Sequence, residues 1–93
     1  MNNKKYSNSF LEQSHSRGIF NFEELKSSKK CACFDCRTLF DTSEIYDWTD
    51  EGHVSGKTAL CPKCGTDAVL SDKLPIDDEE FLYAMFNKYC NEK

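Results

Sequence analysis

Apolar positions along this chain come in short groups separated by polar stretches, and one group shows a clear helical period. Phe81, Leu82, Met85, Phe86 and Tyr89 recur at i, i+1, i+4, i+5 and i+8, which places them on one stripe of a 3.6-residue helix. Pro75 opens this segment, Asp77 is the expected N-cap with Glu80 at N3, and the acidic run 77–80 suits the positive end of the macrodipole. The pattern predicts a C-terminal amphipathic helix over 75–90. Its stripe is expected in the core, against the middle of the chain or the N-terminal helix, with an intermolecular contact as the other use.

Weaker signals organise the rest. Ser9 to Ser16 reads as a weak helix whose only apolar residues are Phe10 and Leu11, with Gly18 as a break. Asn21-Phe22-Glu23-Glu24 has an Asn cap with Glu at N3, so a short helix is expected from Phe22 to about Ser28. The lysines at its end, Lys26, Lys29 and Lys30, suit a solvated helix C-terminus and alternatively form a small basic patch. Asp41-Thr42-Ser43-Glu44 repeats the cap pattern, and Ile45 and Trp48 at i, i+3 suggest another short helix. Short strands are expected to supply Leu60, Val69 and Leu70. Phe34, Leu39, Phe40, Ile45 and Trp48 form the expected minor core, with Trp48 read as packed rather than as an exposed binding aromatic. The expected fold is a small α+β domain spanning 1–93. It has an N-terminal helical arm at 1–30, a core segment at 31–70 and the helix at 75–90.

Composition makes an extra staple plausible. A chain of 93 residues with 39% hydrophobic content has a thin core for a single domain. The formal charge of -4 sets it apart from strongly basic nucleic-acid binders. No apolar run matches a secretory signal or a membrane span, so a cytoplasmic location is expected, where six cysteines are reduced thiols.

Cysteine spacing points to the chemistry. The thiols fall at Cys31, Cys33, Cys36, Cys61, Cys64 and Cys90, forming C-x-C-x-x-C, then C-x-x-C, then a distant residue. Two residues between thiols allow a tight turn to aim both sulfurs at one ion. Gly65 after Cys64 suits a turn that needs positive φ, and Pro62 fixes φ at its start; the first turn has Arg37 in place of that glycine. Cys33, Cys36, Cys61 and Cys64 are the expected ligands of one structural Zn2+. The competing readings are iron of the rubredoxin sort, a dithiol redox pair, and a catalytic zinc of the deaminase type. That last pattern needs His-x-Glu and Pro-Cys-x-x-Cys, whereas this chain has His53-Val54-Ser55, and Leu60 before Cys61. Cys31 faces the same side of an extended segment as Cys33 and is the alternative ligand. Otherwise Cys31 is a small buried strand residue and Cys90 a partly buried helix thiol. His15 and His53 are expected at the surface.

Gly52-His53-Val54-Ser55-Gly56-Lys57-Thr58 resembles a phosphate-binding loop but is one residue short of G-x-x-x-x-G-K-[ST]. It also runs into strand-like Thr58-Ala59-Leu60 rather than a helix. A flexible turn that delivers the second cysteine pair is expected instead.

The run Cys31-x-Cys33-Phe34-x-Cys36, Phe40, Ser43-Glu44-Ile45-x-x-Trp48, Thr58-Ala59-x-Cys61-Pro62-x-Cys64-Gly65-x-Asp67-x-Val69 and Phe81-Leu82-x-x-Met85 resembles a family of small bacterial cytoplasmic proteins. The resemblance covers about residues 31–86. It implies an intracellular bacterial or phage origin and a zinc-ribbon-like core, and no settled activity. Thr66 stands where that pattern suggests an apolar residue, and the hairpin around 53–56 looks like an insertion. A closed tetrathiolate leaves no position for a reacting water, and no Ser/His/Asp set or carboxylate pair is recognisable, so no catalytic residues and no enzyme activity are expected. The expected role is a non-catalytic module with a protein partner: an adaptor, an inhibitor or an immunity-type protein. A nucleic-acid module, using Lys26, Lys29, Lys30, Arg37, Lys57 and Lys63, is the alternative.

Overall fold

The computed structural model describes residues 5–90. The fold is small α+β. Helix α1 (Asn8–Ser16) and helix α2 (Phe22–Lys26) precede β1 (Lys30–Cys33) and β2 (Thr38–Asp41). A single 3-10 turn (Thr42–Glu44) leads to β3 (Trp48–Thr49) and β4 (Thr58–Ala59), followed by β5 (Val69–Ser71) and helix α3 (Glu79–Tyr89). Strand β1 lies between β2 and β5 in an antiparallel sheet, and β3–β4 form a separate antiparallel ribbon.

The central strand is buried because both of its faces are covered. Cys31, Ala32 and Cys33 are fully enclosed, with Ala32 paired to Leu39 on one side and Leu70 on the other. Ala fits this crowded position, where backbone and neighbouring side chains leave little volume. Helix α3 closes the core with Phe81, Leu82 and Met85, as its stripe predicts. Phe86 and Tyr89 lie at the edge of that stripe and stay partly exposed. Helix α1 packs against α3, with Tyr6 edge-on to the Phe81 ring at 5.3 Å and Phe10 at 5.9 Å from it.

Several local expectations are corrected. The cap of α3 is Asp78, one residue later than expected; its carboxylate accepts from the Glu80 amide at 2.9 Å. Asp78 also takes the Lys5 ammonium at 2.7 Å and the Tyr6 hydroxyl at 2.5 Å, which ties the start of the chain to the start of α3. The expected helix through Ile45 and Trp48 stops after one turn. Glu44 does reach back to the Asp41 amide at 3.0 Å, but Ile45 is already extended and Trp48 joins β3. Leu39 is 44% exposed, because its place on the edge strand turns it away from the core that Phe40 enters.

Asn21 departs most from its local pattern. It stands at the N-cap of α2 without a side-chain cap bond. Its buried carboxamide instead donates to the Val69 carbonyl at 2.9 Å and accepts from the Ala59 amide at 3.1 Å. One side chain thereby couples the three-stranded sheet to the β3–β4 ribbon. Glu24 likewise does not close a box: it takes the Arg17 guanidinium through two bonds of 3.1 Å and the Ser71 hydroxyl. Helix α2 ends at Lys26, short of Ser28.

Candidate metal centre

The first cysteine knuckle is the link between β1 and β2. Strand β1 ends on Cys33, the chain turns through 34–37, and β2 leaves at Thr38. The second knuckle follows β4, where Cys61 begins a turn closed by the Gly65 amide donating to the Cys61 carbonyl at 2.9 Å. Gly65 adopts φ 84, as its position after Cys64 requires. Arg37 occupies the equivalent place in the first knuckle and also turns left-handed, at φ 57. Its guanidinium lies 4.7 Å from the Phe86 ring centre and 5.6 Å from that of Tyr83. This cation–π stack offsets a backbone state that glycine would enter without strain.

The two turns bring Cys33, Cys36, Cys61 and Cys64 together, with all four sulfurs within 4.8 Å of one another. The cross-knuckle separations Cys33–Cys64 and Cys36–Cys61 are both 3.7 Å. A tetrahedron with metal–sulfur arms of about 2.3 Å has edges of about 3.8 Å, whereas a disulfide would bring two sulfurs to about 2.05 Å. The cluster is therefore spaced as a metal cage and not as a pair of disulfides. It is a geometry able to chelate a metal ion.

Burial is uneven across the four. Cys33 and Cys61 are enclosed, Cys36 is half-buried and Cys64 faces solvent. Burial pushes the Cys33 thiol well above its ordinary value, against hydrogen bonds from the Cys36 and Asp35 amides. It raises Cys61 too, opposed by the amides of Lys63 and Cys64. The Lys63 amide stands 3.3 Å from the Cys61 sulfur. At Cys64 burial also acts upward, but the Thr66 hydroxyl and amide, with contributions from Cys33 and Cys36, together hold it below the ordinary value. Turn amides aimed at sulfur favour thiolate, yet four thiolates this close repel one another strongly. A central cation resolves that conflict, since it needs the charged form of every ligand.

Compared with protein-family models, curated proteins and solved structures, the chain matches none. The likeness carried by the cysteine and aromatic pattern thus rests on those residues alone.

Cys31 lies outside the cluster. It is buried on β1 with its sulfur 3.2 Å from the Thr42 hydroxyl, and burial raises its thiol while that hydroxyl opposes the shift. Cys90 is half-buried at the end of α3 and is likewise not part of the cluster. Both histidines are exposed, and each stacks on a ring: His15 on Tyr89 at 3.8 Å and His53 on Phe20 at 4.4 Å. The phosphate-loop resemblance dissolves in the β3–β4 turn, where Asp50, Gly52 and Gly56 are left-handed and the Lys57 ammonium lies over Phe22 at 4.6 Å. Strand β4, not a helix, comes directly after it.

Thr66, which looked out of place in the sequence, gains a purpose here. Its hydroxyl is 2.9 Å from the Asp35 carboxylate of the first knuckle and 3.4 Å from the Cys64 sulfur of the second. An apolar residue would remove this side-chain link between the two knuckles. The sequence signal was present in the pair Asp35 and Thr66, each two residues from a cysteine of its own turn, but their meeting depends on how the turns face.

Proposed function

We propose that this protein is a zinc-stapled, non-catalytic module that acts by binding another protein in the reducing cytoplasm, as an adaptor, inhibitor or immunity-type protein. The observation that carries the reading is the closed cluster of Cys33, Cys36, Cys61 and Cys64. Four soft thiolates in a tetrahedral arrangement suit Zn2+, and such a site has no open position for a substrate or an activated water. When bound, the ion supplies folding energy, locking the two knuckles that the short strands alone hold weakly. The chain's own groups orient the cage: amides of both turns face the sulfurs, and Thr66 and Asp35 fix one knuckle against the other. No helix among the described residues is long and apolar enough to cross a membrane.

Elemental analysis of freshly purified, unchelated protein tests the metal and is expected to give about one equivalent of zinc. Less than about half an equivalent with the fold intact overturns it, and a full equivalent of iron replaces zinc with iron. A protein partner is favoured over nucleic acid by the surface. Of the six basic residues that would serve a nucleic-acid face, Lys26, Lys30, Lys57 and Lys63 each lie beside a carboxylate. Single-stranded DNA or RNA is expected not to bind even at low salt; binding that falls steeply with salt and disappears on reversing those lysines to Glu makes nucleic acid the partner.

A further inference from the structure

We propose that the groove between the first cysteine knuckle and the start of α3 docks an extended segment of a partner protein, one that presents an apolar side chain flanked by an acidic and a basic residue. This rests on the protein-binding reading above and specifies the partner's chemistry. The groove holds about 470 Å3, enough for a few side chains. Its lining mixes apolar and charged groups: Ile76 and Leu82 are buried against it, while Leu39 and Tyr83 stand 44% and 52% exposed. Large apolar side chains left in water beside a concavity mark an interaction surface.

The rim says what covers it. Arg37 from the knuckle, and Asp77 and Glu79 from the start of α3, line the same groove. Among the described residues none of these three makes an ion pair, although most other lysines and arginines of the chain do. The Arg37 guanidinium lies over Phe86 and Tyr83, contacts that leave its N–H donors for a carboxylate. Asp77 and Glu79 await a cation. A segment with both charges and an apolar residue between them satisfies rim and floor together. Cys36 forms one wall and Arg37 follows it directly, so closure of the knuckle about its ion sets the shape of the site.

The test pans the zinc-loaded protein against a displayed library of short random peptides. Enriched peptides are expected to carry an aliphatic or aromatic residue with Asp or Glu on one side and Lys or Arg on the other. A synthetic peptide of that consensus should shift the amide resonances of Leu39 and Tyr83. R37E and D77K are each expected to weaken it by about tenfold or more. Asp77 is exposed and outside any helix, so D77K carries the test if R37E fails to fold; zinc content and circular dichroism report the fold of both. Peptides that lack the charge pattern, or that bind both variants as tightly as the wild type, overturn the groove and leave the protein-binding reading standing. No enrichment at all overturns both. A dimer that each single reversal dissociates and the double reversal restores makes a second copy the occupant, and overturns the peptide.

Discussion

Arg37 and Gly65 follow the second cysteine of their respective knuckles, and both are left-handed. A side chain in that conformation costs about 1 kcal/mol, and an exposed guanidinium over an aromatic ring returns about 0.5–1 kcal/mol. Arg37→Gly is therefore expected to leave stability within about 0.5 kcal/mol of the wild type. Gly65→Ala is expected to lose about 1 kcal/mol, because it adds the strain without a stack. A Cβ at Gly65 would meet nothing within 4 Å, so the loss is one of backbone alone. Urea unfolding of the metal-loaded protein measures both. The sulfur assignment is also decided residue by residue. Cys31→Ala is expected to retain the wild-type zinc content after desalting, and Cys33→Ala to lose it, as read by elemental analysis; the reverse outcome makes Cys31 the ligand.

Secondary-structure elements are joined here by a few side chains whose removal has calculable effects. Asn21→Ala strands the Val69 carbonyl and the Ala59 amide in the core, each at about 1–3 kcal/mol, so a loss of about 2–6 kcal/mol is expected from chemical denaturation. At the head of α3, the Lys5 ammonium and the Tyr6 hydroxyl hold the Asp78 carboxyl down at about 2, from an ordinary 3.8. A carboxylate depressed in the folded state contributes stability above its unfolded value and loses it as pH falls through the folded one. The advantage of the wild type over Asp78→Asn is therefore expected to be full above pH 4 and to fade between pH 4 and pH 2. Acid release of metal is common to both chains, so the difference between their unfolding curves isolates the carboxylate. These elements differed in how far the sequence revealed them. Helix α3 was readable because its stripe repeats over three turns, while its cap moved by one because Asp77 and Asp78 offer the same chemistry. Asn21 looked like a local cap because its true partners lie 38 and 48 residues away and leave no local trace. The turn at Thr42–Glu44 kept its Glu44 bond but did not propagate, since Trp48 pairs with Ala59 across the ribbon.

Seen whole, the molecule is two cysteine turns brought face to face by a small sheet, a ribbon and a covering helix. The cluster was legible because C-x-x-C spacing is a local constraint that survives any fold. The Thr66–Asp35 bond and the groove beside Arg37 were not, because they depend on the mutual orientation of the two turns. That division has a consequence for the loop at 50–57. Its tip residue Val54 is 96% exposed, between two left-handed glycines, Gly52 and Gly56. A cut between Val54 and Ser55 would leave Cys33 and Cys36 on one piece and Cys61 and Cys64 on the other. The nicked chain is expected to elute as one particle on size exclusion while zinc is present, and to part into two fragments on addition of a chelator. Made separately, neither piece has a complete cage, and the ion becomes the clasp through which two halves of a protein recognise each other.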